Sequence, residues 1–302
     1  MAKRARKDGS SLISTNSKQK AVKRTRKGKN VGKLAMLLKM PMDILFEILA
    51  HLRPLDLLHV ARTSKELRRI LLAPSSTSVW KDSLSADLDL PECPPDLSYP
   101  GWAHLVYDPF CHMCSDSRVK NPDWKLRVRL CALCSKRGLS ACQPWSVYFR
   151  DLPIQELLPH HDVKDNRSIY VKADIDKMVK TWKSIKDTAA RWQFSEERRD
   201  IVERIDEHAS RCEAWARKKA LDKIAYQDTV RLARRTSIIQ KLKDAGYTAD
   251  IESMTEDDWA SFDRLRPVAQ KRALTDQAWK NMKENVVEFI MSCRDKQPAD
   301  AN

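Results

Sequence analysis

One run constrains this chain more than any other feature: Met40-Pro41-Met42-Asp43-Ile44-Leu45-Phe46-Glu47-Ile48-Leu49-Ala50-His51-Leu52-Arg53-Pro54-Leu55-Asp56-Leu57-Leu58. Ile44, Leu45, Ile48, Leu49 and Leu52 recur at helical spacing and make one broad apolar face. Pro41 suits the first turn of that helix, where its missing N–H costs nothing. Arg53-Pro54 ends it, because the residue before a proline is pushed out of the helical region. A second short helix is expected with Asp56 as its N-cap and Leu57, Leu58 and Val60 following. A third opens at Thr63-Ser64-Lys65-Glu66, which reads as a capping box, and runs through Leu67, Ile70 and Leu71 until Trp80 closes the segment. Three helices in about 45 residues bury too little surface to hide so many leucines among themselves. The run therefore predicts a surface for another protein rather than an active site.

That run resembles the F-box motif. The family pattern has a Leu-Pro or similar pair, an acid, an Ile-Leu pair and a second aliphatic pair one turn on. Here these are Met40-Pro41, Asp43, Ile44-Leu45 and Ile48-Leu49. The pattern continues with Leu52, Pro54-Leu55-Asp56-Leu57, the polar capped helix from Thr63 to Leu71, and Trp80. Met40 replaces the usual Leu and Asp43 stands where Glu is commoner. The resemblance covers roughly residues 36–84. It implies a Skp-type adaptor that docks the F-box onto a cullin ubiquitin ligase. The adaptor-binding residues would be Pro41, Ile44, Leu45, Ile48, Leu49, Leu52, Leu57 and Leu58. Each such aliphatic side chain, if fully buried, contributes about 1.5–3 kcal/mol.

The second strong motif follows soon after. Cys111-His112-Met113-Cys114 and Cys131-Ala132-Leu133-Cys134 are two C-x2-C pairs separated by sixteen residues. Each pair can put two thiolates on one face of a tight knuckle, and two knuckles complete a four-thiolate zinc site. Four cysteines leave no open coordination position, so such a zinc would be structural. Trp124, Leu126, Val128 and Leu130 alternate with Lys125, Arg127 and Arg129, the pattern of a half-buried strand with a solvated basic face. Cys93, Cys142, His104 and His112 are the reserve ligands. Fungal F-box proteins with a compact zinc module directly after the F-box are similar to this arrangement.

The net charge of +15 looks like a nucleic-acid signature until it is located. Residues 1–40 hold thirteen Lys/Arg and one acid, Asp8, a net +12 that leaves +3 for the rest. The first 35 residues, Ser- and Lys-rich without aliphatic periodicity, are expected to be a disordered basic tail, and 296–302 a disordered end. Lys3, Arg4, Arg6 and Lys7, then Lys23, Arg24, Arg26 and Lys27, have the layout of a bipartite nuclear-localisation signal, which would add an importin as partner. The expected location is nucleus, cytoplasm or both. There is no signal-peptide h-region and no membrane-length apolar run. Eight cysteines in such a chain point to thiols or metal ligands before disulfides.

The remaining chain divides into a Pro-rich connector (85–100, including Tyr99-Pro100), the cysteine module (101–142) and a mainly helical region (143–295). Trp145, Val147 and Phe149 alternate as a short strand. His160-His161 reads as an exposed loop pair rather than a ligand pair. Ile175, Met178, Trp182, Ile185, Ala189 and Trp192 mark one helical stripe. Ser195 before Glu196-Glu197 caps a next helix carrying Ile201, Ile205, His208, Cys212 and Trp215, giving an antiparallel pair. His208 and Cys212 lie at metal-compatible i, i+4 spacing, although packing explains them better. Gly246 ends a later helix with Ile238, Ile239 and Leu242. Met254 to Trp259 and Leu274 to Trp279 echo one another as two stapled helix starts capped by Thr255 and Thr275.

The fold class is thus mainly α with a small β/zinc module: basic tail, three-helix F-box, zinc-ribbon-like four-cysteine module and helical C-terminal region. No Gly-rich phosphate loop, H-E-x-x-H or G-x-S-x-G occurs, so the reading is non-catalytic. The expectation is a substrate-recognition subunit of a Skp-cullin-F-box-type ubiquitin ligase, its target an unidentified protein held by residues 143–295. The rival readings are a nuclear zinc-module nucleic-acid binder, which the location of the charge disfavours, and a non-proteolytic F-box scaffold. No membrane is expected as a partner.

Overall fold

The computed structural model describes residue 37 and residues 39–143, 149 and 151–295. The basic tail, with its eight import-signal residues, and most of the strand expected around Trp145 lie outside these. Among the described residues the fold is mainly helical. Its F-box part comprises α1 (Met42–Ala50), α2 (Pro54–Ala61), α3 (Lys65–Leu71) and α4 (Thr77–Ser85), with a short 3-10 turn at Pro74–Ser76 before α4. Then come α5 (Tyr99–Tyr107), α6 (Ala132–Gly138), β1 (Leu139–Cys142), α7 (Ile154–Leu157), β2 (His161–Val163), β3 (Arg167–Val171), α8 (Lys172–Ser184) and α9 (Thr188–Asp244). The chain finishes with α10 (Thr248–Glu252), α11 (Glu256–Arg264) and α12 (Asp276–Arg294). Among the described residues no helix is long and apolar enough to cross a membrane.

Helix starts in the F-box part shift by one to three residues from the sequence expectation, each for a local reason. Pro41 sits just outside α1 as its N-cap. Pro54, not Asp56, opens α2, because proline is pre-organised for the first helical position; Asp56 falls in the first turn and pairs with Arg53 at 3.0 Å. Ser64 rather than Thr63 caps α3, accepting the Leu67 N–H at 3.1 Å, while Thr63 Oγ1 donates back to the Val60 carbonyl. Tyr99 and Pro100 begin α5 under the Ser98 cap instead of extending the connector.

The leucines of this part are covered from within the chain. Leu45, Leu49, Leu57, Leu58 and Leu71 pack with Trp80 and Leu84 of α4, Trp102 and Leu105 of α5, Trp124, and Ala209 and Cys212 of α9. Trp80 is 1 % exposed and its Nε1 donates to the Leu71 carbonyl at 2.8 Å, which locks α4 onto the end of α3. A second core joins Ile238 and Leu242 of α9 to Ile251, Met254, Phe262, Met282, Val286 and Ile290. Both echo motifs serve it. Thr255 and Asp258 form a full capping box, Thr275 caps α12, and Met254, Trp259, Leu274 and Trp279 all reach this core. A third core, under the antiparallel sheet in order β1-β3-β2, holds Phe149, Ile154, Leu157, Tyr170, Ile175 and Met178.

The first expected stripe is split: Ile175, Met178 and Trp182 lie on α8, whereas Ala189 and Trp192 fall at the start of α9, one uninterrupted helix of 57 residues that also carries Ile201 to Trp215. This helix starts at Asp187, whose carboxylate accepts the Ala190 N–H at 2.7 Å, so Ser195 lies inside it and is buried. No glycine or proline interrupts 188–244, and a Ser-Glu-Glu signal cannot break a helix that already has a better cap upstream. The helix ends at Gly246, which adopts φ 95 while its N–H and that of Tyr247 close onto the Lys243 and Leu242 carbonyls. Arg234 is buried with its charge met by carbonyls and a thioether: Nε donates to Pro267 at 2.8 Å, Nη1 to Ala273 at 3.2 Å and Nη2 to the Met282 sulfur at 3.5 Å.

Candidate docking surface and metal centre

Burial divides the broad face of α1 into two strips. Leu45 and Leu49 face the core, at 1 % and 3 % exposure, and Leu57 and Leu58 of α2 are buried beside them. Ile44 and Ile48, one turn apart, are 50 % and 40 % exposed and stand with exposed Met40, Pro41 and Met42; Leu52 is half-buried. Of the eight expected adaptor-binding residues, Pro41, Ile44 and Ile48 are open to a partner, Leu52 partly so, and the other four hold the fold. An aliphatic ridge of this kind on a small helical bundle marks a protein-interaction module.

The two C-x2-C pairs converge. Candidate ligand atoms of Cys111, Cys114, Cys131 and Cys134 all lie within 4.8 Å of one another. A zinc tetrahedron with Zn–S near 2.3 Å has edges of about 3.8 Å, so the sulfurs stand close to that spacing. The cluster does not draw in Cys93, Cys142, His104 or His112. Ser115, at φ 55, turns the first knuckle, where its N–H closes onto the Cys111 carbonyl at 2.8 Å. The second pair opens α6 with Cys131 as N-cap, a helical knuckle where a ribbon would have a strand-borne one.

The chemistry of the donor set fits a cation. Burial would raise the Cys111 thiol, but the backbone N–H groups of Cys114, Cys131 and Met113 outweigh it and hold it down at about 6. Hydrogen bonding with Cys131, then burial, pushes Cys134 up to about 12. Backbone N–H groups of Ser117 and Asp116 hold the Cys114 thiol down as well, and a divalent metal would favour ionisation of the whole set.

The segment between the knuckles is not a strand. Asp123 and Val128 pair as an isolated antiparallel bridge around a turn in which Arg127 takes φ 56. Its basic residues turn inwards. Arg129 is buried and donates to the carbonyls of Val119 and Lys120 and of Leu105 and Val106, the latter two near the end of α5. Arg127 pairs with Asp96 at 3.2 Å. Neither is a free cation for nucleic acid, a correction to the solvated basic face. Lys136 and Arg137 remain exposed.

The histidine pair also proves structural. His160 is held by the Leu158 carbonyl, and His161, in β2 rather than a loop, meets the Asp123 carboxylate at 2.9 Å. His208 and Cys212 pack in the core. His208 Nδ1 faces Arg127 Nη1 at 2.9 Å and the Cys212 sulfur at 3.4 Å, and Nε2 meets the Glu92 carbonyl at 2.8 Å. Burial, with help from Arg127 and Arg211 and partial offset by the Glu92 carbonyl, keeps the His208 pKa below 6.5. Above that pH both folded and unfolded chains hold it neutral. Below it the unfolded chain takes a proton that the folded chain refuses, so stability falls as pH drops and the loss levels off past the folded pKa. We expect the melting temperature to fall from pH 7 to pH 5, and to fall less in His208→Gln, as measured by circular dichroism.

Residues 37–78 match the family model of the F-box domain. No curated protein and no solved structure matches the chain. The ridge of α1 therefore belongs to an F-box domain, and the match supports an F-box protein. F-box domains bind Skp-type adaptors, and this one supports an adaptor role in a Skp-cullin-F-box-type ubiquitin ligase. Trp80 signalled the lining of the F-box by α4, whereas the lining by α5 and α9 had no signal in the motif itself. Only Trp124 and Cys212, read as apolar positions of a strand and of a helix, hinted at it.

Proposed function

We propose that this chain is the substrate-recognition subunit of such a ligase. The observation that carries the reading is the aliphatic ridge of Ile44 and Ile48, left open within the matched F-box while its neighbouring leucines are buried. The ridge would seat a Skp-type adaptor, and through it a cullin. The chain supplies no chemistry of its own in this scheme. It holds a target near a charged ubiquitin-conjugating enzyme and raises the local concentration of the reacting groups. The four cysteines would hold one structural zinc, whose contribution is to fix the two knuckles between α5 and β1. The basic residues Lys3, Arg4, Arg6, Lys7, Lys23, Arg24, Arg26 and Lys27 would direct nuclear import through an importin. The experiment is co-purification of the full chain with a Skp-type adaptor through size-exclusion chromatography. Co-elution that persists from low to high salt supports docking through aliphatic contacts. Failure to co-elute at any salt overturns the reading.

A further inference from the structure

Two cavities of about 530 and 570 Å³ open along the same stretch of α9. They share Asp96, Arg198, Ile201 and Ile205, so they are two basins of one groove with Arg198 between them. Their walls come from parts of the chain that the sequence reading kept separate. The connector supplies Pro94 to one basin and Leu97 to the other; the turn of the cysteine module supplies Leu126; α8 supplies Met178 and Thr181. Lining residues on α9 run from Phe194 to Arg211, which spans roughly 26 Å at the helical rise. That length accepts about eight residues of extended chain.

Charge decides what the groove accepts at its middle. Asp96 is already neutralised by Arg127 at 3.2 Å. Arg198 directs Nε and Nη2 at the Leu157 carbonyl, at 3.1 and 2.9 Å; Asp174 of α8 and Asp96 attract it from beyond ion-pair range but take none of its remaining donors. A half-buried guanidinium with one carbonyl partner has further donors to offer. Apolar basins flanking convergent polar groups are the usual form of a binding site.

We propose that this groove is the target-binding site, and that it takes an extended segment of a protein with an acidic side chain on Arg198 and aliphatic side chains in the two basins. The proposal rests on the substrate-receptor reading and names the surface that reading needs. It moves the target site from the C-terminal region alone to the seam where connector, cysteine module and α8–α9 meet.

The test uses the full chain bound to its adaptor and two libraries of eight-residue peptides. Each has aliphatic residues fixed two positions either side of a central residue, which is glutamate in one library and lysine in the other. At least tenfold greater retention of the glutamate library is expected. That preference should vanish in Arg198→Gln, whose amide can still reach the Leu157 carbonyl, and retention should fall at least tenfold in Ile201→Lys. Lys177→Glu, on an exposed position at the rim, serves where either variant misfolds and should reduce retention severalfold. Equal retention of the two libraries overturns the proposal, as does indifference to these substitutions in folded protein. So does a dimer of the chain, detected by light scattering, that Ile201→Lys dissociates. Adaptor co-elution is measured on the same variants and should be unchanged. Its loss in unmutated protein would fail the receptor reading itself, a separate outcome.

Discussion

Ile48→Asp is expected to abolish co-purification of a Skp-type adaptor while the circular dichroism spectrum and melting temperature stay near those of the unmutated chain. Ile48 is 40 % exposed, so an aspartate there stays hydrated in the free protein and loses its water only when a partner covers it. Removing the isoleucine forfeits about 1.5–3 kcal/mol of burial in the complex, and stranding a carboxylate in an apolar contact adds a penalty of several kcal/mol. Together these are a loss of three orders of magnitude or more in affinity, on the scale of about 1.4 kcal/mol per tenfold. Leu45→Asp, one turn away in the same motif, is expected to behave differently. Leu45 is 1 % exposed against Trp80 and its neighbours, so the charge is buried on folding and the F-box itself unfolds. A Leu45 variant that stays folded and loses only the adaptor would contradict the division of α1 into two strips. An Ile48→Asp protein that still co-elutes would remove the ridge from the adaptor contact.

The second large effect is on metal. One zinc per chain is expected by elemental analysis, and Cys134→Ser or Cys131→Ser should abolish it. Binding at such a site contributes on the order of 10 kcal/mol of local folding energy, because the site does not exist in the unfolded chain. The loss should therefore reach beyond the knuckles. Arg129 joins the turn at Val119 and Lys120 to the end of α5, and Arg127 and His208 join the same module to Asp96 and α9. Loosening the knuckles should expose those contacts to hydrogen exchange before the core around Ile238 and Phe262 opens. Stoichiometric absence of zinc from protein purified without chelator would end the metal assignment.

Local signals were legible wherever a residue acts through its own chain neighbours. Thr255 and Thr275 cap helices, Gly246 turns out of one, and the two cysteine pairs meet as their spacing demanded. What stayed hidden are choices made by tertiary partners. Leu45 and Ile48 are equivalent in helical periodicity, and only the position of Trp80 and Trp102 shows which one faces inwards. Arg127 and Arg129 alternate with apolar residues like any solvated strand face, yet their hydrogen-bonding partners lie at Asp96, at the end of α5 and at His208. Three short helices do need further cover for their leucines. Most of the cover came from the same chain, through α5 and α9, and the sequence separation between Leu57 and Cys212 left no local trace.

The long helix α9 has a consequence of phase as well as length. From Cys212, in the F-box core, to Ile238, in the C-terminal core, is a span of roughly 39 Å with no glycine or proline in it. Its middle carries Leu221, Ile224, Tyr226 and Leu232 in the open and is tethered by polar side chains, Lys218 to Asp89, Lys219 to Asp87 and Gln227 to Lys271. A helix of that kind transmits rotation. One residue inserted near Asp222 would turn the C-terminal core by about 100° and advance it by about 1.5 Å, while seven would lengthen the span by about 10 Å at almost the same bearing. The register of this single helix therefore aims whatever the C-terminal core carries, as a keyway aims a shaft, and the bearing can be dialled residue by residue without touching either core.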